Sequence, residues 1–152
     1  MTTALADVET EDTAIVTLKF KNGAIGIIEA TTATRPTNLE GSISILGEHG
    51  TVVVGGVAVN EMQTWVFEDN QDEDSNVLEE FSVNPPNVYG FGHQAYYEHV
   101  VDCIVNGSAN LVDGLQGRKS IELISAIYES AETGKEVFLR FQPKHCRLGQ
   151  KN

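Results

Sequence analysis

The spacing of hydrophobic residues changes near residue 86 of this chain, and that change limits the folds it can adopt. The first two thirds of the chain are interpreted as strands, beginning with an alternation that places Val16, Leu18 and Phe20 at every second position, because a period of two is typical of β-strands. After the Pro85–Pro86 pair, apolar residues recur every three or four positions, as in amphipathic helices. Strands followed by helices predict an α+β fold: an open, mostly antiparallel sheet with helices packed on one face.

Turn residues set the expected boundaries. Asn22-Gly23 suits a hairpin turn, and short turns between successive strands imply antiparallel pairing. Asp113 followed by Gln116 resembles a capping box, and Gly107 and Gly134 are suitable residues for ending helices. The sequence therefore predicts strands over about 14–20, 24–34, 42–46, 51–54, 57–68, 77–83 and 137–141, and helices over about 92–106 and 113–133.

Composition excludes several classes of function. A net charge of −12 over 152 residues argues against nucleic acid and anionic membranes as partners, because both require a basic surface. No apolar run approaches the roughly 20 residues of a membrane-spanning helix, and the N-terminus lacks the pattern of a signal peptide. We therefore expect one cytoplasmic domain. Cys103 is interpreted as a buried small residue and Cys146 as a tail thiol, with no metal site.

Two places could bind a ligand. Arg35 lies at the end of a predicted strand, beside Pro36, where a guanidinium group could bind a carboxylate or phosphate; the alternative is an ordinary surface arginine. The segment from Tyr89 to His93 precedes a predicted helix, whose free N–H groups and positive dipole end favour an anion. There the alternative is a histidine at a helix start with tyrosines in the core, and Tyr97 on the apolar stripe fits that core reading. Neither place holds a nucleophile–base pair.

An ordered set of short motifs resembles a known family. The motifs lie at residues 8–14, 21–26, 46–51 and 130–137, and together they resemble the C-terminal domain of the Gfo/Idh/MocA oxidoreductases. Within that family, the motifs at 35–41 and 85–93 resemble the branch that oxidises the 3-hydroxyl of UDP-N-acetylglucosamine, or of its uronic acid, with NAD during the biosynthesis of surface polysaccharides.

The resemblance implies a division of labour between domains. Residues 1–141 would be a substrate-binding and oligomerisation domain, followed by a polar tail at 142–152. The Rossmann domain, the catalytic lysine and the catalytic histidine of the family are not in this sequence. NAD would therefore be bound mainly by that other domain, no catalytic residue is expected here, and the chain alone should be inactive.

The resemblance also implies roles for particular residues. Arg35 and Asn38 would contact the sugar or its acidic substituent, and Tyr89, Gly90 and His93 would line the nucleotide or sugar side of the pocket. The open face of the sheet would form a homo-oligomer, and its predicted members are small or polar residues: Gly26, Thr32, Ser42 and Ser44. Two alternatives remain open, a dehydrogenase domain for a free sugar or inositol and a non-catalytic dimerisation or interaction module.

Overall fold

The α+β class is confirmed. The computed structural model describes residues 1, 5–69, 72–87 and 89–140. In that part of the chain the strands are β1 (Thr13–Lys19), β2 (Ile25–Thr31), β3 (Ile43–Leu46), β4 (Gly50–Gly55) and β5 (Glu61–Phe67), and the helices are α1 (Val77–Glu80), α2 (Gly92–Asn106) and α3 (Gly114–Thr133). A 3-10 helix over Asp72–Asn76 precedes α1.

The chain divides into two compact units. Unit 1 comprises Met1–Thr34 together with the chain from Asn110 onward, and unit 2 comprises Arg35–Ala109. The strands follow the same division, because β1 and β2 form one sheet and β3, β4 and β5 form another. The prediction of a single sheet is therefore wrong. The chain leaves the first sheet after Thr31, and Pro36, which has no N–H group to donate to a ladder, lies in the connection to β3.

Unit 1 is built on the predicted hairpin. β1 and β2 pair antiparallel, with Thr13 opposite Thr31. The connecting turn contains Gly23 at φ 94°, a left-handed conformation that glycine adopts without a steric penalty. Asn22 accepts a hydrogen bond from the Ala24 backbone N–H at 3.1 Å. The Asn-Gly prediction is confirmed.

A buried carboxylate anchors the segment before β1. Asp12 is 2% exposed and accepts hydrogen bonds from the backbone N–H groups of Leu5 (2.7 Å) and Ala6 (2.8 Å). The Thr13 hydroxyl donates to its other oxygen at 2.8 Å. Burying a charge is costly unless hydrogen bonds satisfy it, and these three donors satisfy Asp12.

Helix α3 begins and ends as the sequence predicts. The Asp113 side chain accepts from the Gln116 backbone N–H at 2.9 Å, and Gly134 ends the helix at φ 65°. The predicted strand at 137–141 does not form over residues 137–140, and Phe141 lies outside the described residues. Side-chain contacts hold this segment instead, because Arg140 donates to both oxygens of the buried Glu129 at 2.5 and 2.7 Å.

Unit 2 contains the larger sheet. β4 lies in its centre and pairs antiparallel with β3 and β5, with a register shift at Val53/Val54. The strand predicted at 57–68 begins only at Glu61, since residues 56–59 form a turn. The strand predicted at 77–83 is wrong: residues 77–80 are helical, and only Ser82 forms an isolated bridge, to Glu61. Leu78, Glu79 and Glu80 are strong helix formers.

Three of the four residues predicted on the open sheet face are exposed: Thr32, Ser42 and Ser44. Gly26 is half-buried, and a Cβ atom there would lie 3.2 Å from the Phe20 ring. The opposite face carries Ile15, Ile25 and Ile27, which are exposed. This face, rather than the one with Gly26, presents apolar surface in unit 1.

Helix α2 ends at Gly107, in the left-handed conformation expected for a helix terminus (φ 68°). Cys103 on this helix is buried, as predicted, whereas Cys146 and the tail at 142–152 lie outside the described residues. Among the helices described, none combines the length and apolarity needed to cross a membrane.

Candidate functional site

A cleft of about 750 Å³ opens in unit 2 between the start of α2 and the turn that precedes β5. It brings together three of the residues that the sequence singled out: Tyr89, Gly90 and His93. The sequence did not indicate the turn residues on the other wall. The full lining is Ala58, Val59, Asn60, Tyr89, Gly90, Phe91, Gly92, His93, Tyr96 and Tyr97.

Local hydrogen bonds shape the wall from Asn87 to His93. The Asn87 side chain accepts from the Tyr89 backbone N–H at 3.0 Å, and the Gly90 N–H donates to the Asn87 carbonyl at 3.3 Å. Gly90 has φ 67°, a conformation that other residues rarely adopt. Phe91 is the N-cap of α2 and makes no side-chain capping bond. The first-turn N–H groups of α2 therefore keep their capacity to bind an anion.

His93 has a defined orientation. Its Nδ1 lies 2.9 Å from the Tyr89 carbonyl oxygen. Because a carbonyl oxygen only accepts hydrogen bonds, Nδ1 carries the proton, and Nε2 of the neutral ring is an acceptor. The rings of Tyr89 and His93 pack edge to face, with centroids 6.1 Å apart. The cleft thus presents an oriented acceptor beside an aromatic ring, which suits a ligand hydroxyl or N–H group.

Exposed aromatic side chains surround the cleft. The exposed fractions are 72% for Tyr89, 61% for Phe91, 53% for Tyr96 and 65% for Tyr97. The expectation that Tyr97 belongs to the core is wrong, because α2 turns this side chain to the cleft rather than into packed surface. Clustered exposed aromatics are typical of ligand-binding surfaces, since a flat π-face stacks on a base or on the C–H face of a sugar.

The turn of residues 56–60 forms the other wall and has unusual backbone geometry. Val59 has φ 53°, and among the described residues it is the one residue other than glycine that has a positive φ. A β-branched residue in this region is strained. The Asn60 side chain accepts from the Ala58 N–H at 3.1 Å and donates to the Val83 carbonyl at 2.8 Å. Alternation of Val57 and Val59 predicted a strand here, but the preceding Gly55-Gly56 pair and Asn60 are turn residues.

Arg35 and Asn38 are not among the residues that line the cleft. Both are exposed and lie in the segment that follows β2, also within unit 2. That segment leads to Gly41, whose N–H donates to the Gly56 carbonyl at 3.2 Å. The backbone therefore links the Arg35–Gly41 segment to the turn that lines the cleft.

Other polar groups of α2 lie near its C-terminal end. Hydrogen bonds from Ser108 (2.6 Å) and Asn106 (2.6 Å) lower the pKa of Asp102. Cys103 Sγ lies 3.4 Å from His99 Nε2 and 3.6 Å from the Ala109 carbonyl. His99 and Cys103 are four residues apart in the sequence, which places them on the same face of α2. Among the described residues, no group of three or more His, Cys, Asp or Glu side chains could hold a metal ion.

Comparison with known proteins decides the family. Residues 3–139 match the Gfo/Idh/MocA oxidoreductase family, C-terminal alpha/beta domain. The chain belongs to this family. No curated protein sequence is significantly similar to it.

Solved structures similar to this Gfo/Idh/MocA domain include two bacterial dehydrogenases. WlbA from Bordetella pertussis, crystallised with NADH and UDP-GlcNAcA, is 43% identical over 88% of this chain, with a TM-score of 0.80. WlbA from Chromobacterium violaceum, also with NADH and UDP-GlcNAcA, is 41% identical over 93% of this chain, with a TM-score of 0.80. The chain spans 38% and 39% of the lengths of these two proteins.

The described residues of this Gfo/Idh/MocA domain contain no dinucleotide-binding fingerprint. A dinucleotide fold needs a glycine-rich turn between a strand and a helix. Gly90-Phe91-Gly92 leads into α2, but residues 83–87 before it form no strand. A Cβ atom at Gly90 or Gly92 would meet nothing within 4 Å, so neither glycine is needed for close packing. This segment is the wall of the cleft and not a dinucleotide fingerprint.

Proposed function

We propose that this chain is the substrate-binding and oligomerisation domain of an NAD(P)-dependent sugar oxidoreductase that acts on a UDP-linked N-acetylamino sugar or its uronic acid. The observation that carries the proposal is 43% identity, over 88% of this chain, to a dehydrogenase whose crystals contain NADH and UDP-GlcNAcA. The cleft of unit 2 supports it, because exposed aromatic rings and an oriented histidine suit a nucleotide sugar.

The proposal assigns parts of the substrate to parts of unit 2. Tyr89 and its aromatic neighbours would stack on the base or the sugar, and Nε2 of His93 would accept from a hydroxyl or N–H group. Phosphate oxygens would lie near the first-turn N–H groups of α2. Arg35 and Asn38 would contact the sugar or its carboxylate, since a guanidinium group binds a carboxylate with two parallel hydrogen bonds.

We assign cofactor binding and hydride transfer mainly to a dinucleotide-binding domain that is not part of this chain. The cleft contains no acidic side chain and no nucleophile–base pair among its lining residues. The contribution of this chain is therefore to bind and orient the substrate, which fixes the reacting groups relative to one another and so lowers the entropic part of the barrier. NAD is the expected cofactor, and we expect this chain by itself to show no turnover.

The proposal includes a homo-oligomer formed through sheet surface. In unit 1 the exposed face of the β1–β2 sheet carries Ile15, Ile25 and Ile27, and in unit 2 β3 exposes Ile43 and Ile45. Exposed branched apolar side chains at alternate strand positions lie on one face of a sheet, and such surfaces are typical of proteins that associate. The proposal also includes a cytoplasmic location, where NAD and nucleotide sugars are supplied, and a role in making polysaccharides.

Turnover tests the substrate class. The assay uses this chain joined to a dinucleotide-binding domain, as in its longer relatives, and follows NADH absorbance. The substrates are UDP-N-acetylglucosamine, its uronic acid, free sugars and myo-inositol. Turnover with a UDP-sugar supports the proposal. Turnover with only free sugars or inositol would show that the substrate is one of these and not a UDP-sugar. No turnover with any of them would favour the alternative of a non-catalytic interaction module.

An arginine comparison tests the site within the same assay. Removing a charge-assisted hydrogen bond costs about 2 kcal/mol, so Arg35→Ala should raise KM for the uronic acid substrate more than about tenfold. Arg118→Ala, an exposed arginine on α3 in unit 1, is the matched control and should leave KM unchanged. An unchanged KM in Arg35→Ala would remove that residue from the site.

A further inference from the structure

The most unusual backbone in the described chain lies beside the cleft. Val59 has φ 53°, although its side chain is β-branched and disfavours that region. Strained residues persist where the surrounding contacts determine them, and they are concentrated at ligand sites. The contacts that surround Val59 therefore show what the turn of residues 56–60 holds in place.

Both the oxygen and the nitrogen of the Asn60 side-chain amide make hydrogen bonds within unit 2. Oδ1 accepts from the Ala58 N–H at 3.1 Å, which closes the turn around Val59. Nδ2 donates to the Val83 carbonyl at 2.8 Å and to Asn84 Oδ1 at 3.1 Å. The amide thus joins one wall of the cleft to a segment that lies 23 and 24 residues away in sequence.

That distant segment leads directly to the other wall. Next to the Asn60 contacts, the Ser82 hydroxyl donates to the Met62 carbonyl at 3.0 Å, so the segment is held against β5. The chain then continues through the buried Pro85 to Asn87, whose side chain accepts from the Tyr89 N–H. The Tyr89 carbonyl in turn accepts from His93.

The same turn also holds the end of the Arg35–Gly41 segment. Gly41 donates its N–H to the Gly56 carbonyl at 3.2 Å. A Cβ atom at Gly41 would lie 2.8 Å from Val59 Cγ2, so the strained valine packs directly on the glycine backbone. The turn contacts Gly41, at the end of one segment that carries candidate substrate residues, and Val83 and Asn84, in the chain that leads to the other segment.

We propose that the turn of residues 56–60 positions both substrate-binding segments, and that Asn60 is its principal positioning residue. This inference rests on the proposed function, since it takes the cleft as the place of the UDP-sugar. Asn60 acts through Asn84 and Asn87 on the Tyr89–His93 wall, and Val59 acts through Gly41 on the Arg35–Gly41 segment. Loss of Asn60 should weaken substrate binding without touching the cofactor.

The experiment measures steady-state kinetics in the full enzyme that contains the Rossmann domain. Asn60→Ala should raise KM for the UDP-sugar about tenfold, with KM for NAD unchanged and kcat within about twofold. The matched control is Asn22→Ala, because Asn22 also accepts from a backbone N–H, in the unit 1 hairpin. It should leave all three constants unchanged. A rise in both KM values, or equal effects of the two variants, would overturn the proposal.

A double-mutant cycle separates positioning from general loss of stability. If Asn60 acts on the wall that carries His93, adding Asn60→Ala to His93→Ala should raise KM by less than about twofold further. Fully multiplicative effects would contradict that route. Asn84→Ala removes one contact of Asn60 and is the second variant if Asn60→Ala folds poorly; it should show the same KM selectivity, and normal kinetics in it would also count against the proposal.

The controls keep the two proposals distinguishable. A wild-type enzyme that turns over no UDP-sugar would overturn the proposed function, and the positioning role would fail with it. A wild-type enzyme that is active on a UDP-sugar, with Asn60→Ala and Asn84→Ala both unchanged, would overturn only the positioning role.

Discussion

The two compact units differ in the side chains that distinguish them: unit 1 by buried polar groups, and unit 2 by exposed aromatic rings. Unit 1 buries them: Asp12, Ser125 and Glu129 are between 2% and 6% exposed. Unit 2 instead exposes large aromatic rings around a cleft and holds a strained turn beside it. Buried and fully satisfied polar groups make a structure rigid, whereas exposed aromatics retain capacity to bind. We infer that stability is concentrated in unit 1 and recognition in unit 2.

Further contacts tie the elements of unit 1 together. The Tyr128 hydroxyl donates to Glu11 at 2.6 Å, which ties α3 to the segment that precedes β1. Arg140 and Glu129 tie α3 to the chain that follows it. Unit 2 has a different kind of network, in which Asn60 and Asn87 act on backbone groups near the cleft. Variants in the two units should therefore affect different measurements.

The largest expected effect is a loss of stability caused by a substitution in unit 1. Asp12→Ala would leave the N–H groups of Leu5 and Ala6 without their acceptor, and the loss of two hydrogen bonds to a charged group costs about 3 kcal/mol together. Urea denaturation should show this loss in the free energy of unfolding, with the UDP-sugar Kd unchanged in the folded protein. Asp7→Ala, at an exposed position of the same segment, should cost less than about 0.5 kcal/mol. A near-neutral Asp12→Ala would contradict the assignment of stability to this contact.

The second effect tests the ion pair at the end of unit 1. Breaking a buried pair costs about 3–5 kcal/mol, but the Arg140 side chain is 34% exposed, so solvent screening reduces the expectation for Glu129→Ala to about 2 kcal/mol. Arg140→Ala and the double variant complete a cycle in denaturant unfolding. Additive losses would mean that the two side chains stabilise the unit independently.

The third effect should appear in binding and not in stability. Tyr89→Ala removes an exposed ring from the cleft, and loss of aromatic stacking weakens binding by about 1–3 kcal/mol. Calorimetry with the UDP-sugar should show Kd raised at least about fivefold, while the unfolding free energy changes by less than about 0.5 kcal/mol. Phe138→Ala in unit 1, where the ring is 76% exposed compared with 72% for Tyr89, is the control. Equal Kd values for the Tyr89→Ala and Phe138→Ala variants would show that an exposed aromatic residue does not by itself identify the binding site.

The smallest expected effect is a gain in stability. Val59→Asn places a residue that tolerates the left-handed region at φ 53°, so relief of strain should stabilise unit 2 by about 1 kcal/mol. Thermal unfolding measures this, with Val57→Asn in the same turn as the control. A loss of stability as large as that of the control would show that packing on Gly41 outweighs the backbone strain.

Local chemistry explains which parts of the fold the sequence could predict. The hairpin at Asn22-Gly23, the Asp113 cap and the two helix ends at Gly107 and Gly134 each depend on residues close in sequence, and each is confirmed. The sequence did not predict that the five strands divide into two sheets. It also missed the helical residues 77–80, although Leu78, Glu79 and Glu80 are strong helix formers.

The candidate site was predictable in part for the same reason. Tyr89, Gly90 and His93 lie next to a helix start, so their shared place on the cleft follows from local sequence. Asn60 could not be recognised, since its partners Val83 and Asn84 are distant in the chain. The roles of these residues, and of Arg35 and Asn38, in binding substrate stay predictions.

Hydrogen–deuterium exchange with and without a UDP-sugar, measured on this chain joined to a dinucleotide-binding domain, tests the central claim most directly. Amide exchange reports local opening, so a ligand bound in the cleft should slow it at residues 56–60 and 89–94 of unit 2. The strands β1 and β2 of unit 1 should exchange as before. Protection confined to unit 1, or absent from both segments of the cleft at saturating ligand, would contradict the account.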